Sequence, residues 1–463
     1  MIEKAKQLRA PICAISCVAV VLSVLLCGCD SDKNDSVTGD AAPGGKSNAA
    51  NPEAARHIET IAACKKAIAN NPNAAAYSKM GDACYKLGRY ADAIAALKKA
   101  IAINPNDART HHNMGFACFM LGEYAAAKAA YQKAIAIKPD YADAHGGMGS
   151  ACASLGQHAD ALISYKRAIA LNPGEAKFYC NMGNTNYTLG RYADALAAQK
   201  KAIALKPDYA EAYNGMGNTH YELERYADAL VAYKQAVALK PDYAGAYCNT
   251  GLACAKLERY AEALAAYKEA IALKPDSSDV YLNMSNAYGE LGQHADAIAA
   301  CKKAIAIKPD YAEAYNNMGC SYDDLGRYPD ALAAQKKAIA LKPDYAEAYR
   351  NIGNVYSKLG QQSDAIAAYK KAIALNPDDA AACYSMGNAY HRLGRHADAL
   401  VAYKKVIAIK PDDVDAYINM GLTYEKLRQN KLAIAAYKKA ITLEPIGKNA
   451  DRARRLIEGL RKQ

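Results

Sequence analysis

The sequence predicts an all-α solenoid of stacked helical hairpins, and three observations carry that prediction. A proline recurs every 34 residues at Pro105, Pro139, Pro173, Pro207, Pro241, Pro275, Pro309, Pro343, Pro377, Pro411 and Pro445. Within each period, two stretches of helical spacing are separated by a glycine or a single substitute for it. Small residues also stand at fixed places in almost every period. A fixed period of this length marks one supersecondary unit repeated many times, each burying its apolar face on its neighbours.

Residues 1–29 read as an export signal. Lys4, Lys6 and Arg9 precede a 15-residue apolar run over 12–26, which is too short to cross a bilayer comfortably. The run closes on Leu26, Cys27, Gly28 and Cys29. Residues 30–52 lack periodicity and are rich in Asp, Ser, Gly, Ala and Asn. They are expected to form a disordered tether, spanning on the order of 25 Å as a coil. An extra amphipathic helix is expected over 53–73, matching the second half of a repeat.

Eleven repeats then fill 74–447. In the unit 176–209, residues 176–189 have helical spacing and Gly190 ends them, because a residue past a helix end often needs positive φ. Residues 192–205 form a second helix with Ala195, Leu196, Ile203 and Leu205 inward, and Pro207 ends it. The first helix carries glycine from Gly81 to Gly421 in every unit except at Ser285. Alanine follows twelve residues later (Ala93 to Ala433), and again seven further on except at Val406. Glycine inside a helix costs roughly 1 kcal/mol against Ala, so its recurrence calls for close helix approach. The array ends in a capping helix over 448–463, with Leu456, Ile457 and Leu460 on one face and Arg452, Arg454, Arg455, Arg461 and Lys462 on the other.

The period, the small Gly/Ala/Ala places, the closing proline and the second-helix aromatics Tyr131, Tyr165, Tyr233, Tyr267, Tyr369, Tyr403 and Tyr437 resemble the tetratricopeptide repeat. That resemblance implies a right-handed superhelical solenoid whose first helices line a concave groove. Departures are local. Glu224, Glu258 and Arg428 replace the turn glycine, and Leu97, Gln199, Cys301 and Gln335 replace the aromatic, so less rigid units are expected there. The segment ending at Cys29 resembles the bacterial lipobox. This implies a diacylated Cys29 as the mature N-terminus, a further acyl chain, and stable anchoring to a membrane from the outer side. Asp30, at the next position, marks inner-membrane retention in some Gram-negative bacteria. The alternative is an ordinary cleaved signal with stray cysteines.

The formal charge is +11 from 58 basic and 47 acidic residues. Much of the excess sits in second-helix pairs such as Lys98-Lys99, Lys200-Lys201, Lys302-Lys303, Lys336-Lys337 and Lys370-Lys371, a pattern of solvated faces. Nucleic acid is not an expected partner, and anionic headgroups or cell-wall polymers fit an exported chain better. Of the 14 cysteines, ten lie beyond residue 29. Cys84, Cys118, Cys152 and Cys254 share one interior place that is Tyr in other units; equivalent places in stacked helices lie about 8–10 Å apart, beyond disulfide reach. They read as buried thiols, and no ligand cluster suggests a metal or other cofactor.

The candidate binding residues are on the first helices. Asn113, Asn181, Asn249, Asn283, Asn317, Asn351 and Asn419 lie two places before the glycine, and Asn184, Asn218, Asn286, Asn354 and Asn388 lie just after it. Side-chain amides donate and accept, so a ladder of them matches an extended peptide backbone. It resembles the asparagine ladder in the repeats of O-linked N-acetylglucosamine transferase. The other reading is that these amides tie neighbouring helices together. Phe116, Phe119 and Met120 form an apolar patch on repeat two, with Arg109 and His112 on the same helix, and read as either a ligand anchor or a local packing exchange with the neighbouring repeat. Asp279, Glu290, Glu313, Asp323 and Asp324 make repeats seven and eight acidic, read as either a site for a basic segment or solvated carboxylates.

The expected function is a membrane-anchored extracytoplasmic scaffold that binds peptides or partner proteins in the groove, for envelope, pilus or export assembly. The alternatives are cell-wall glycan binding on the Tyr-rich surface and a substrate-guiding module of a glycosyltransferase system. Only 16 residues follow the last repeat, no phosphate loop or nucleophile–base set appears, and so no enzyme is expected. Oligomeric state is not legible.

Overall fold

The computed structural model describes residues 52–461. The expected signal, the lipobox with Cys29 and nearly all of the tether lie outside them. Among the described residues there are 24 helices and no strand. They belong to two compact units, described here over 52–257 and 258–461.

The first unit begins with α1 (Pro52–Asn70). Five hairpins follow: α2 (Ala74–Lys86) with α3 (Tyr90–Ile103), α4 (Ala108–Met120) with α5 (Tyr124–Ile137), α6 (Ala142–Ser154) with α7 (His158–Leu171), α8 (Ala176–Thr188) with α9 (Tyr192–Leu205), and α10 (Ala210–Glu222) with α11 (Tyr226–Leu239). It ends with α12 (Ala244–Lys256), the first helix of repeat six. The second unit begins with α13 (Tyr260–Leu273). Its hairpins are α14 (Ser278–Glu290) with α15 (His294–Ile307), α16 (Ala312–Asp324) with α17 (Tyr328–Leu341), α18 (Ala346–Lys358) with α19 (Gln362–Leu375), α20 (Ala380–Arg392) with α21 (His396–Ile409), and α22 (Val414–Lys426) with α23 (Asn430–Leu443). The last helix is α24 (Lys448–Arg461). Within each unit, the two helices of every hairpin pack together, and each second helix packs on the first helix that follows it.

In the hairpins that lie within one unit, the glycine of the first helix faces the second-helix residue sixteen places on. A Cβ on Gly217 would lie 2.5 Å from the Tyr233 ring, and one on Gly353 would lie 2.5 Å from Tyr369. The absence of a side chain is therefore what admits the aromatic, which is almost fully buried in each case. Gln199 and Gln335 fill the same slot against Gly183 and Gly319. Repeat seven exchanges both partners: Ser285 replaces the glycine and Cys301 the aromatic, and both are buried. A small thiol leaves room for the Ser285 Cβ that a Tyr ring would occupy.

The turn between the helices needs a left-handed residue, such as Gly190 at φ 69°. Glu224, Glu258 and Arg428 adopt the same conformation at φ 58°, 58° and 57°. The substitutions keep the turn geometry, at a cost of roughly 1–2 kcal/mol each for the Cβ. At the opposite end of the hairpin, the lysine before the closing proline covers a tyrosine three residues on. Lys138, Lys206, Lys240, Lys308 and Lys342 lie 4.4–5.4 Å from the ring centres of Tyr141, Tyr209, Tyr243, Tyr311 and Tyr345. Part of the basic excess thus caps aromatic rings. The second-helix lysine pairs at 98–99, 200–201 and 336–337 are exposed.

Nine of the ten described cysteines are buried and Cys320 is half-buried. Burial pushes Cys180 up to about 12 and raises Cys84, Cys118 and Cys152. These are poor nucleophiles that serve as small apolar side chains. In α24, Ala450, Ala453, Ile457 and Leu460 are buried and Leu456 is half-buried, while Arg452, Arg454, Arg455 and Arg461 are exposed. Ile457 and Leu460 join the cluster that contains Tyr437 and Ala440.

Candidate functional site: the first-helix face

Each first helix is thirteen residues long, and its second, sixth, ninth and thirteenth residues share one side because four, three and four places are helical steps. In repeat four these are Lys177, Asn181, Asn184 and Thr188; all are exposed except the half-buried Asn181. In repeat two they are Arg109, Asn113, Phe116 and Met120, with Arg109 exposed and the rest half-buried. The second and thirteenth places form two open rails, and the sixth and ninth form the floor between them. The floor closes in repeat five, where Gly215 and Asn218 are buried.

The asparagines lie on this floor, and most are hydrogen-bonded from one repeat to the next. Asn113 Nδ2 donates to Asp82 Oδ1 (2.6 Å) and Asn181 Nδ2 to Ser150 Oγ (3.4 Å). The buried Asn249 donates to Asn214 Oδ1 (3.0 Å) and Asn218 Oδ1 (3.1 Å). In the second unit, Asn317 donates to Asn286 Oδ1 (2.6 Å), Asn351 to Asn316 Oδ1 (3.0 Å), and Asn419 to Asn388 Oδ1 (3.1 Å). The acceptor amides are in turn fixed by the second-helix slot. Tyr233, Tyr369 and Tyr403 hydroxyls donate to Asn218, Asn354 and Asn388 at 2.9, 2.9 and 2.7 Å, and Gln199 Nε2 donates to Asn184 Oδ1 (2.7 Å). Asn283 is half-buried on the same face. Of the two readings of the ladder, the inter-repeat tie is therefore present. Amides already committed to neighbours are poorer backbone partners for a ligand than open ones.

Phe116 is edge-on to Tyr85 of the preceding repeat, with ring centres 4.9 Å apart, and Phe119 meets Tyr124 at 5.3 Å. Both contribute to the local core while remaining half-exposed, and Met120 is half-exposed beside them. His112 lies 5.0 Å from Tyr141 and 5.6 Å from Tyr131, and burial holds its imidazole below the ordinary value. The acidic stretch is largely engaged. Tyr311 hydroxyl donates to Asp279 (2.6 Å), Lys342 pairs with Glu313 (3.2 Å) and Lys358 with Asp323 (2.7 Å), and His294 lies 3.6 Å from Asp324. Among the described residues, no group of His, Cys, Asp and Glu is placed to hold a metal ion.

The floor opens into a cavity of about 230 Å³ lined by Asn388, His391, Arg392, Tyr403, Asn419 and Leu422. His391, Arg392 and Leu422 were not singled out from sequence, and Tyr403 was read there only as a repeat aromatic. The available signal is variability: across the eleven units the thirteenth place runs Lys, Met, Ser, Thr, Glu, Lys, Glu, Asp, Lys, Arg and Lys, while the glycine place five residues earlier hardly changes.

Tetratricopeptide repeat models match residues 81–122, 183–224, 319–360, 353–394 and 387–427, and further models of the same repeat match 106–174, 214–278, 255–318 and 414–445. The chain belongs to the tetratricopeptide repeat family, whose architecture is that of a protein-interaction scaffold. Among solved structures, it is similar to MamA at 34% identity, covering 35% of this chain and 95% of that chain with a TM-score of 0.34. It is also similar to YrrB, described as a TPR protein with an unusual peptide-binding site, at 25% identity over 41% and 97% with a TM-score of 0.35. The Cut9–Hcn1 hetero-tetramer of the APC/C is similar at 14% identity over 88% and 93%, with a TM-score of 0.46. Comparison with curated protein sequences finds no match.

Proposed function

We propose that the chain is a lipid-anchored scaffold working outside the cytoplasm, which holds an extended segment of a partner protein along its first-helix face. The observation that carries the reading is the open stripe at the second, sixth, ninth and thirteenth places, present in both units with a different chemistry in each repeat. A regular backbone with varying rails is suited to reading a peptide side chain by side chain. The floor asparagines hold the repeats in register, and the rails supply the selectivity. The anchor is Cys29, and envelope, pilus or export assembly is the setting that fits an exported, tethered array. Asp30 favours the inner membrane.

The anchor is tested by growing cells that express the chain with a labelled fatty acid, then separating membranes. Label and membrane retention are expected for the wild type, with both lost in Cys29→Ser. A soluble, unlabelled wild-type chain contradicts the reading.

A further inference from the structure

The cavity between repeats ten and eleven has a hydrogen-bond order that can be assigned. Asn388 Oδ1 accepts from Tyr403 hydroxyl (2.7 Å) and from Asn419 Nδ2 (3.1 Å), which fixes the floor. The single hydroxyl hydrogen of Thr423 is donated to the Asn419 carbonyl (2.6 Å). Thr423 Oγ1 therefore accepts from His391 Nδ1 (3.0 Å), and the neutral imidazole carries its proton there.

Two cations at the rim stand without an ion pair among the described residues. Lys358 is neutralised by Asp323 (2.7 Å), whereas among the described residues Arg392 and Lys426 form no ion pair. Arg392 Nη1 donates to Ser357 Oγ (3.1 Å), which steadies the guanidinium without compensating its charge. Glu425 is the neighbouring carboxylate, and it accepts from Tyr437 hydroxyl. Burial first, and then the His396 ring and the charge of Lys426, hold His391 below its ordinary value.

We propose that this cavity receives one acidic side chain of an extended peptide, with Arg392 as its ion partner and Lys426 as a second cation at the rim. The inference rests on the peptide-holding reading above and gives it a chemical class. An Arg guanidinium suits a carboxylate because its planar N–H groups match the two oxygens. A volume of about 230 Å³ falls below the roughly 300–1,000 Å³ of sites that enclose a whole small ligand, and so fits a single side chain. The floor continues beyond the cavity through the half-buried Asn354 of repeat nine, so the peptide extends away from it along that side.

The test uses the full chain purified in detergent and three fluorescent twelve-residue Gly/Ser peptides. One carries alternating Glu and is acetylated and amidated, the second has Gln in place of Glu, and the third is the Gln peptide with a free C-terminal carboxylate. The Glu peptide should bind at least about tenfold more tightly than both others, as for a charge-assisted pair lost on neutralisation. Arg392→Gln should remove that advantage and Lys426→Gln reduce it, while Lys98→Gln leaves it intact. Arg392 is exposed at a helix end, and unchanged helicity of the variant confirms that its fold survives. The proposal is overturned if the free-terminus peptide binds as well as the Glu peptide, if Arg392→Gln leaves Glu-peptide binding unchanged, or if the wild type does not bind the Glu peptide. None of these outcomes touches the scaffold reading, which cross-linking tests separately.

Discussion

Gly353 and Tyr369 show the scale at which this fold is specified: one missing side chain makes room for one ring. Repeat seven makes the converse argument, since Ser285 is tolerated where the opposing residue is Cys301. Cys301→Tyr alone should force a clash and accelerate hydrogen exchange in α14 and α15, by about 1–3 kcal/mol of local stability. Adding Ser285→Gly should restore it, giving a coupling of about 1 kcal/mol or more in a double-mutant cycle. Additive effects would contradict the pairing. His112 has a different consequence. Burial lowers its folded pKa despite the carboxylates of Asp82 and Asp143 nearby, with Lys177 acting in the same direction as burial. The unfolded chain therefore takes up the proton first, and stability falls as the pH drops through the ordinary value near 6.5 toward the lower folded one. The thermal midpoint should decline between about pH 7 and pH 5, and less steeply in His112→Gln; parallel slopes would remove His112 from the account.

At the scale of elements, the hairpin was legible because every determinant is local: the turn glycine, the proline stop and the helical period lie within 34 residues. The glycine substitutes were also visible, but their effect was not. Glu224 takes the same left-handed turn at φ 58°, which the substitution alone does not reveal. The asparagines mark the limit of such reading. Their spacing shows which helix face they share, but not whether the amide meets a ligand or the next helix, because that depends on inter-repeat distance. Asn249 is the sharpest case, with its amide on both Asn214 and Asn218. Asn249→Ala leaves those buried carbonyl oxygens short of a donor and should cost about 1–3 kcal/mol, read as faster exchange in α10 and α12. An unchanged exchange pattern would return the ladder to a purely ligand-facing role.

The whole molecule reads as two surfaces with different constraints. The second helices repeat nearly the same exposed Lys-Lys pattern from unit to unit, as a solvated face does. The rails of the first helices change from repeat to repeat while the floor between them is held by conserved geometry, as a selective face would. The Arg392 cavity escaped the sequence reading because its residues come from two repeats and two helix types, which only stacking brings together. The measurement that bears most directly on the central claim is site-specific photo-cross-linking of the full chain in its native membrane. Photoreactive residues would be placed at the first-helix positions Thr188, Arg392 and Lys426, and at the second-helix positions Lys98, Lys200 and Lys336. Discrete adducts to the same partner from the first-helix sites, with none from the second-helix sites, are the expected result. Adducts confined to the second-helix lysines would contradict the account and make the outer basic surface the functional one.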